Sequence, residues 1–145
     1  MKNLRSGVMP NWCTNRVSVS GEPEDVKKLV ALVRGEGAEG EFHLNSIIPM
    51  PAELEDTKAP TTDSDAPVVD GHTNWYSWRI ENWGTKWEVG EVDYYDADDD
   101  GYVQWEFCTA WGPPEGACAE LRNLFPDVSI SWFYDEPGCE IAGYL

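Results

Sequence analysis

Two stretches with the apolar spacing of a helix are each bracketed by stretches in which apolar and polar residues alternate. That succession limits the fold more than any other feature of the chain. Val26, Leu29, Val30 and Val33 recur at helical spacing behind Pro23, Glu24 and Asp25, which mark a helix start, and Gly35, Gly37 and Gly40 end the stripe. Ahead of it, Val17 and Val19 alternate with Ser18 and Ser20, the two-residue period of a strand. Behind it, Phe42 to Ile48 reads as a second strand, closed by Pro49-Met50-Pro51. The second stripe, Cys118, Leu121 and Phe125, starts at Pro113-Pro114-Glu115 and stops at Pro126, with Gly116 weakening its first turn.

Between the stripes, residues 55–72 hold few large apolar groups and read as a flexible insertion loop, and Trp75 to Trp83 suits a short helix ended by Gly84. Val92 and Tyr94 then alternate with Glu91 and Asp93, Gly90 allowing an irregularity. Val103, Trp105 and Phe107 alternate with Gln104 and Glu106. This pair reads as an antiparallel hairpin around an acidic turn, Asp96 to Gly101. Val128, Ile130, Trp132 and Tyr134 form a last full strand, and Cys139 to Leu145 a short edge strand. The order predicts an α+β, ferredoxin-like fold: an antiparallel sheet with two main helices on one face, plus an inserted loop and short helix. Residues 1–10 read as an N-terminal tail and 11–145 as a single domain, long enough to bury a core without staples.

The chain carries 27 acidic and 10 basic residues, a net charge of −17. Residues 88–145 hold 14 of the acids and one base, Arg122. Such a charge repels nucleic acid and anionic membrane surfaces and suits basic partners, although surface acids also serve solubility. No stretch is apolar enough to span a membrane or act as a signal peptide, and the four cysteines, Cys13, Cys108, Cys118 and Cys139, form no close pairs. A cytoplasmic location with reduced thiols is the expectation.

Four segments carry a resemblance: Asn11-Trp12-Cys13-Thr14-Asn15, Ile48-Pro49-Met50-Pro51, Asn82-Trp83-Gly84-Thr85-Lys86-Trp87 and Thr109-Ala110-Trp111-Gly112-Pro113-Pro114. Together they resemble the YubB ferredoxin-like domain family, whose members are also described as Api92-like. The resemblance implies the fold and an origin in phages, plasmids or other mobile elements. It implies no reaction and carries no catalytic residues.

No catalytic constellation, cofactor motif or metal-ligand spacing emerges from the residues. Asp96 to Gly101 matches the first half of a calcium loop, but the position that needs a bidentate Glu holds Phe107, so the segment reads as a solvated hairpin turn. His43 and His72 stand alone in the sequence, and Asn15 and Asn82 read as partners of turn backbone. The chain is therefore expected to be a non-catalytic interaction protein. Its expected partner-binding surface is Glu91, Asp93, Asp96, Asp98, Asp99, Asp100 and Glu106 on one connected face, with Tyr94 and Tyr102 as aromatic anchors at the rim. The expected partner is a basic nucleic-acid-binding protein, a CRISPR effector or restriction nuclease of host defence, inhibited by nucleic-acid mimicry. A second expectation is a small-ligand pocket of Trp83, Lys86, Trp87 and Trp111, and a third is a structural or assembly role.

Overall fold

Strand β1, Trp12–Ser20, takes the centre of the sheet. Its odd positions, Cys13, Asn15, Val17 and Val19, are fully buried, whereas Arg16 and Ser20 face solvent. The computed structural model describes residues 11–58, 67–96 and 101–145. Antiparallel to β1 on one side lies β3, Tyr102–Ala110, and on the other β4, Ser129–Glu136. β2, Gly90–Asp96, closes one edge against β3, and β5, Ile141–Tyr144, closes the other against β4. The order β2-β3-β1-β4-β5 is the ferredoxin-like order with one edge strand added.

Helices α1, Pro23–Arg34, and α4, Glu115–Leu124, bring the two apolar stripes onto a single face of this sheet. Their Val26, Leu29, Val33, Ala117, Cys118 and Leu121 share one core with Val17, Val19, Val103, Trp105, Phe107, Ile130 and Trp132 of the strands. Each large side chain buried there contributes about 1.5–3 kcal/mol. The opposite face of the sheet exposes Ser20, Arg16, Ser129, Ser131 and Asp135.

One expected strand is absent. Phe42 to Ile48 forms no ladder; instead Leu44–Ile47 makes one helical turn, α2. The apolar positions in this stretch suit either conformation, and the decision comes from far along the chain. Glu88 accepts hydrogen bonds from the Leu44 and Asn45 amides at 2.7 and 2.8 Å, satisfying donors a helix start leaves open. Phe42 instead inserts its ring among Trp105, Phe107 and Trp132, with centroids 4.7–5.9 Å apart. The strand that completes the split βαβ unit is thus β2, reached by a long excursion through α2, a 3-10 turn at Ala52–Leu54, and α3, Trp75–Asn82.

Within the segment expected to be a flexible loop, residues 59–66 lie outside the described residues. Its flanks are anchored. Leu54 is buried, the Thr57 hydroxyl donates to the Leu54 carbonyl and accepts from the Trp75 amide, and Val69 bridges to His72. α3 starts where expected, with the Asn74 side chain accepting from the Ser77 amide at 2.9 Å, and ends at Gly84, whose φ is +95°.

No disulfide joins any of the four cysteines, three of which are buried. Burial pushes the Cys13 thiol from 9.0 up to about 11, and the Tyr94 phenol from 10.0 up to about 12. In each case the native state keeps a proton that the unfolded chain has already released. Stability is therefore full below pH 9 and declines as pH rises through 9–12. The urea midpoint of the wild-type protein is expected to fall between pH 8.5 and 11.5. Tyr94→Phe is expected to remove part of the fall that lies above pH 10. An equal fall in wild type and variant refutes the assignment to Tyr94.

Candidate functional site

The four segments that carry the resemblance are tied to one another through backbone groups: the Trp111 amide donates to the Asn11 carbonyl and the Trp83 indole to that of Ile48. The Trp83 carbonyl accepts from the Gly116 and Ala117 amides at 3.1 and 3.3 Å, so α4 starts on the end of α3 without a side-chain cap of its own. A Cβ on Gly116 would lie 2.0 Å from the Asn82 carbonyl oxygen, and one on Gly84 would lie 2.7 Å from the Glu115 amide. Buried Thr85 donates to the Ala110 carbonyl at 2.8 Å. Gly116, read from sequence as a weak point of the helix, is there because only hydrogen fits.

The four members of the expected aromatic pocket divide between the interior and the surface. Trp83 is fully buried, its indole N–H donating to the Ile48 carbonyl at 2.8 Å. Lys86 instead lies over Trp87 at 4.4 Å and Trp111 at 5.9 Å, both partly exposed, with Trp12 6.0 Å from Trp87. Trp111 sits at φ 71°, with Gly112 N–H bonded back to the Ala110 carbonyl, a strained γ-turn. The cation that does contact Trp83 is Arg79, 4.8 Å from its ring and 5.1 Å from that of Trp75. Sequence reading missed it, although Arg79 follows Trp75 by four residues on a helix, the spacing that brings side chains together.

His72 is not isolated either. Its ring nitrogens contact the Ser77 hydroxyl and the Glu81 carboxylate, binding the loop before α3 to two successive turns of that helix. Ser77 and His72 are part-buried, and the Ser77 hydroxyl also lies near the Asn74 carbonyl in the cap of α3. The arrangement braces the helix start.

The acidic residues divide between the two faces of the sheet. Asp93 stands directly opposite Glu106 on the open face, with Glu91 beside them. The three carboxylates, with Thr14, Val92 and Cys108, line a hollow of about 380 Å³ on that face. A register shift between Gly90 and Asp93, with Glu91 at φ 53°, turns Glu91 into it. Like charges directly opposite each other are destabilising by a few tenths of a kcal/mol. Arg16 offsets this in part, its Nε 3.3 Å from Glu106, in an exposed pair worth about 0–1 kcal/mol.

Two expected members belong elsewhere. Tyr94 alternates onto the helix face, packs on Trp105 at 5.3 Å and lies beneath Gly40, where a Cβ would touch its ring at 2.9 Å. It is no rim anchor. Asp96 pairs with Val103 and lines a different cleft, beside α1. Asp98, Asp99 and Asp100 lie outside the described residues. Tyr102 does share the open face, its hydroxyl 3.0 Å from the Gln104 side chain. The aromatic overlooked was Tyr95, 61% exposed and two residues from Asp93, which the strand period alone assigns to the same face. Phe133 and Tyr144 stack at 5.2 Å further across, and Arg16 covers the Phe133 ring at 6.0 Å.

Fold and site together define an acidic ferredoxin-like α+β protein whose sheet is covered on one face and carries carboxylates and aromatics on the other. No family model matches the chain. Over 77 residues it is 26% identical to the uncharacterized protein YubB of Escherichia coli (strain K12), an alignment covering 53% of each chain, so about half the length of that relative. The crystal structure of protein api92 from Yersinia pseudotuberculosis superposes with a TM-score of 0.64 over 94% of this chain and 93% of that one, at 12% identity. The chain is thus similar to YubB over about half its length and shares the fold of Api92 over nearly all of it. Among the described residues no helix is long and apolar enough to cross a membrane, and no cluster of His, Cys, Asp and Glu is arranged to hold a metal ion.

Proposed function

We propose that this is an interaction protein that holds a basic partner on the open face of its sheet, and that the partner is a nucleic-acid-binding protein whose phosphate-binding groove it occupies. The observation that carries this reading is the Asp93–Glu106 pair. Two carboxylates are kept opposite each other, with a third, Glu91, at the rim of one hollow. A lysine or arginine entering the hollow converts their repulsion into attraction. Exposed Tyr95, two residues from Asp93 on the same face, adds apolar area beside the hollow. The net charge of −17 supplies fast association that weakens with salt. A phage or mobile-element setting, in which blocking a CRISPR effector or restriction nuclease is useful, fits this chemistry.

The test compares wild type with the triple variant Glu91→Gln, Asp93→Asn, Glu106→Gln as baits for host lysate. Wild type is expected to retain a basic nucleic-acid-binding protein that added DNA displaces. The variant, folded by circular dichroism, is expected to bind that protein at least about tenfold more weakly, a loss of roughly 1.4 kcal/mol. Equal retention at low salt refutes the reading.

A further inference from the structure

We propose that the free edge of β2 accepts an extended segment of a partner protein as an added strand, with apolar residues entering the cleft beside α1 and Lys or Arg residues alternating with them on the open face. The idea rests on the basic-partner reading above for its charged half, and on a separate feature for its apolar half. That feature is a cleft of about 520 Å³ between α1 and the sheet edge, within the roughly 300–1,000 Å³ of ligand-binding clefts. Its floor is Val26, Val30 and Val103, all buried, and Ala31, exposed on α1, opens its wall.

Among the described residues β2 is paired only on its β3 side, so its outer edge is the place where a further strand could add. Side chains of an added strand alternate as those of β2 do. On one side they would lie level with Tyr94 and enter the cleft; on the other they would lie level with Asp93 and Tyr95. The charges fix which is which. On the α1 wall of the cleft, Lys27 and Arg34 make no ion pair among the described residues and disfavour an entering cation. Glu39 and Asp96 at the opposite rim disfavour an entering anion, which leaves apolar residues as the group both walls accept. The open side offers Asp93, Glu106 and Glu91 to cations. A second copy of the chain is a poor occupant, because Glu91, Asp93 and Asp96 on the same strand would meet their own counterparts.

The probe is a capped octapeptide of alternating valine and lysine, compared with a peptide of the same composition in two blocks, which carries the same charge. The alternating peptide is expected to bind at least about tenfold tighter in calorimetry and to slow hydrogen exchange at backbone amides of residues 90–96. Ala31→Trp, which fills the cleft from an exposed position, is expected to abolish that preference. Equal binding of the two peptides, both weakened by the triple carboxylate variant, overturns strand addition and leaves the basic-partner reading standing. Preference and protection that persist in the triple variant but vanish in Ala31→Trp uphold the cleft and overturn the basic-partner reading. Self-association through residues 90–96, seen as concentration-dependent sedimentation, overturns the choice of occupant.

Discussion

Asn15→Leu is expected to lower the free energy of unfolding by about 3–4 kcal/mol, the cost of stranding several buried polar groups at once. Asn15 is fully buried in the central strand, and both its N–H groups and its oxygen are hydrogen-bonded. Its amide donates to the Thr109 hydroxyl at 2.9 Å and to the Cys13 carbonyl at 3.2 Å, and its oxygen accepts from the Trp132 indole at 2.9 Å. One side chain thus ties β1 to both β3 and β4. Leucine has a similar volume but leaves the Trp132 N–H without an acceptor in the interior. Ser18→Ala, on the opposite face of the same strand, is the control and is expected to shift stability by less than about 0.5 kcal/mol. Urea unfolding measures both, and a cost below about 1 kcal/mol for Asn15→Leu refutes the role of the network.

Gly116→Ala is expected to cost about 3 kcal/mol, the upper end of overpacking penalties. The added methyl would stand 2.0 Å from a backbone oxygen of Asn82, an atom that moves only if α3 and α4 separate. Separation would break the bonds from Gly116 and Ala117 to the Trp83 carbonyl that start α4. Gly90→Ala makes the comparison, since a Cβ there meets nothing within 4 Å. It is expected to be close to neutral. Equal urea midpoints for the two variants refute the junction as the reason for glycine.

Strands β1 to β5 and helices α1, α3 and α4 were legible because the two-residue and 3.6-residue periods are clean there, as at Val103, Trp105 and Phe107. Two kinds of information were not. Phe42 to Ile48 takes its conformation from Glu88, which offers its carboxylate to Leu44 and Asn45 across more than forty residues of chain, and no local pattern records that. The acidic surface was read as one patch because charge was counted along the sequence, whereas alternation sends Asp96 and Tyr94 to the helix side and Asp93 to the open side. The same alternation would have added Tyr95. The tryptophan segments signalled the fold correctly, but through carbonyls and missing Cβ atoms at Trp83, Gly84 and Gly116, and side-chain chemistry gave no hint of that.

The central place of β1 has a consequence for biosynthesis. β1 is made well before either of the strands that flank it: β3 begins at Tyr102 and β4 at Ser129. At about 5–20 residues per second, roughly 5–22 s separate the end of β1 from the start of β4. Until β3 arrives, Val17 and Val19, and the apolar stripe of α1 behind them, have no sheet to join. α1 can pack with the α2 segment before then, and the hairpin of β2 and β3 is the earliest part of the sheet that can form. Pairing on both sides of the central strand therefore waits for β4, whichever part of the fold forms first.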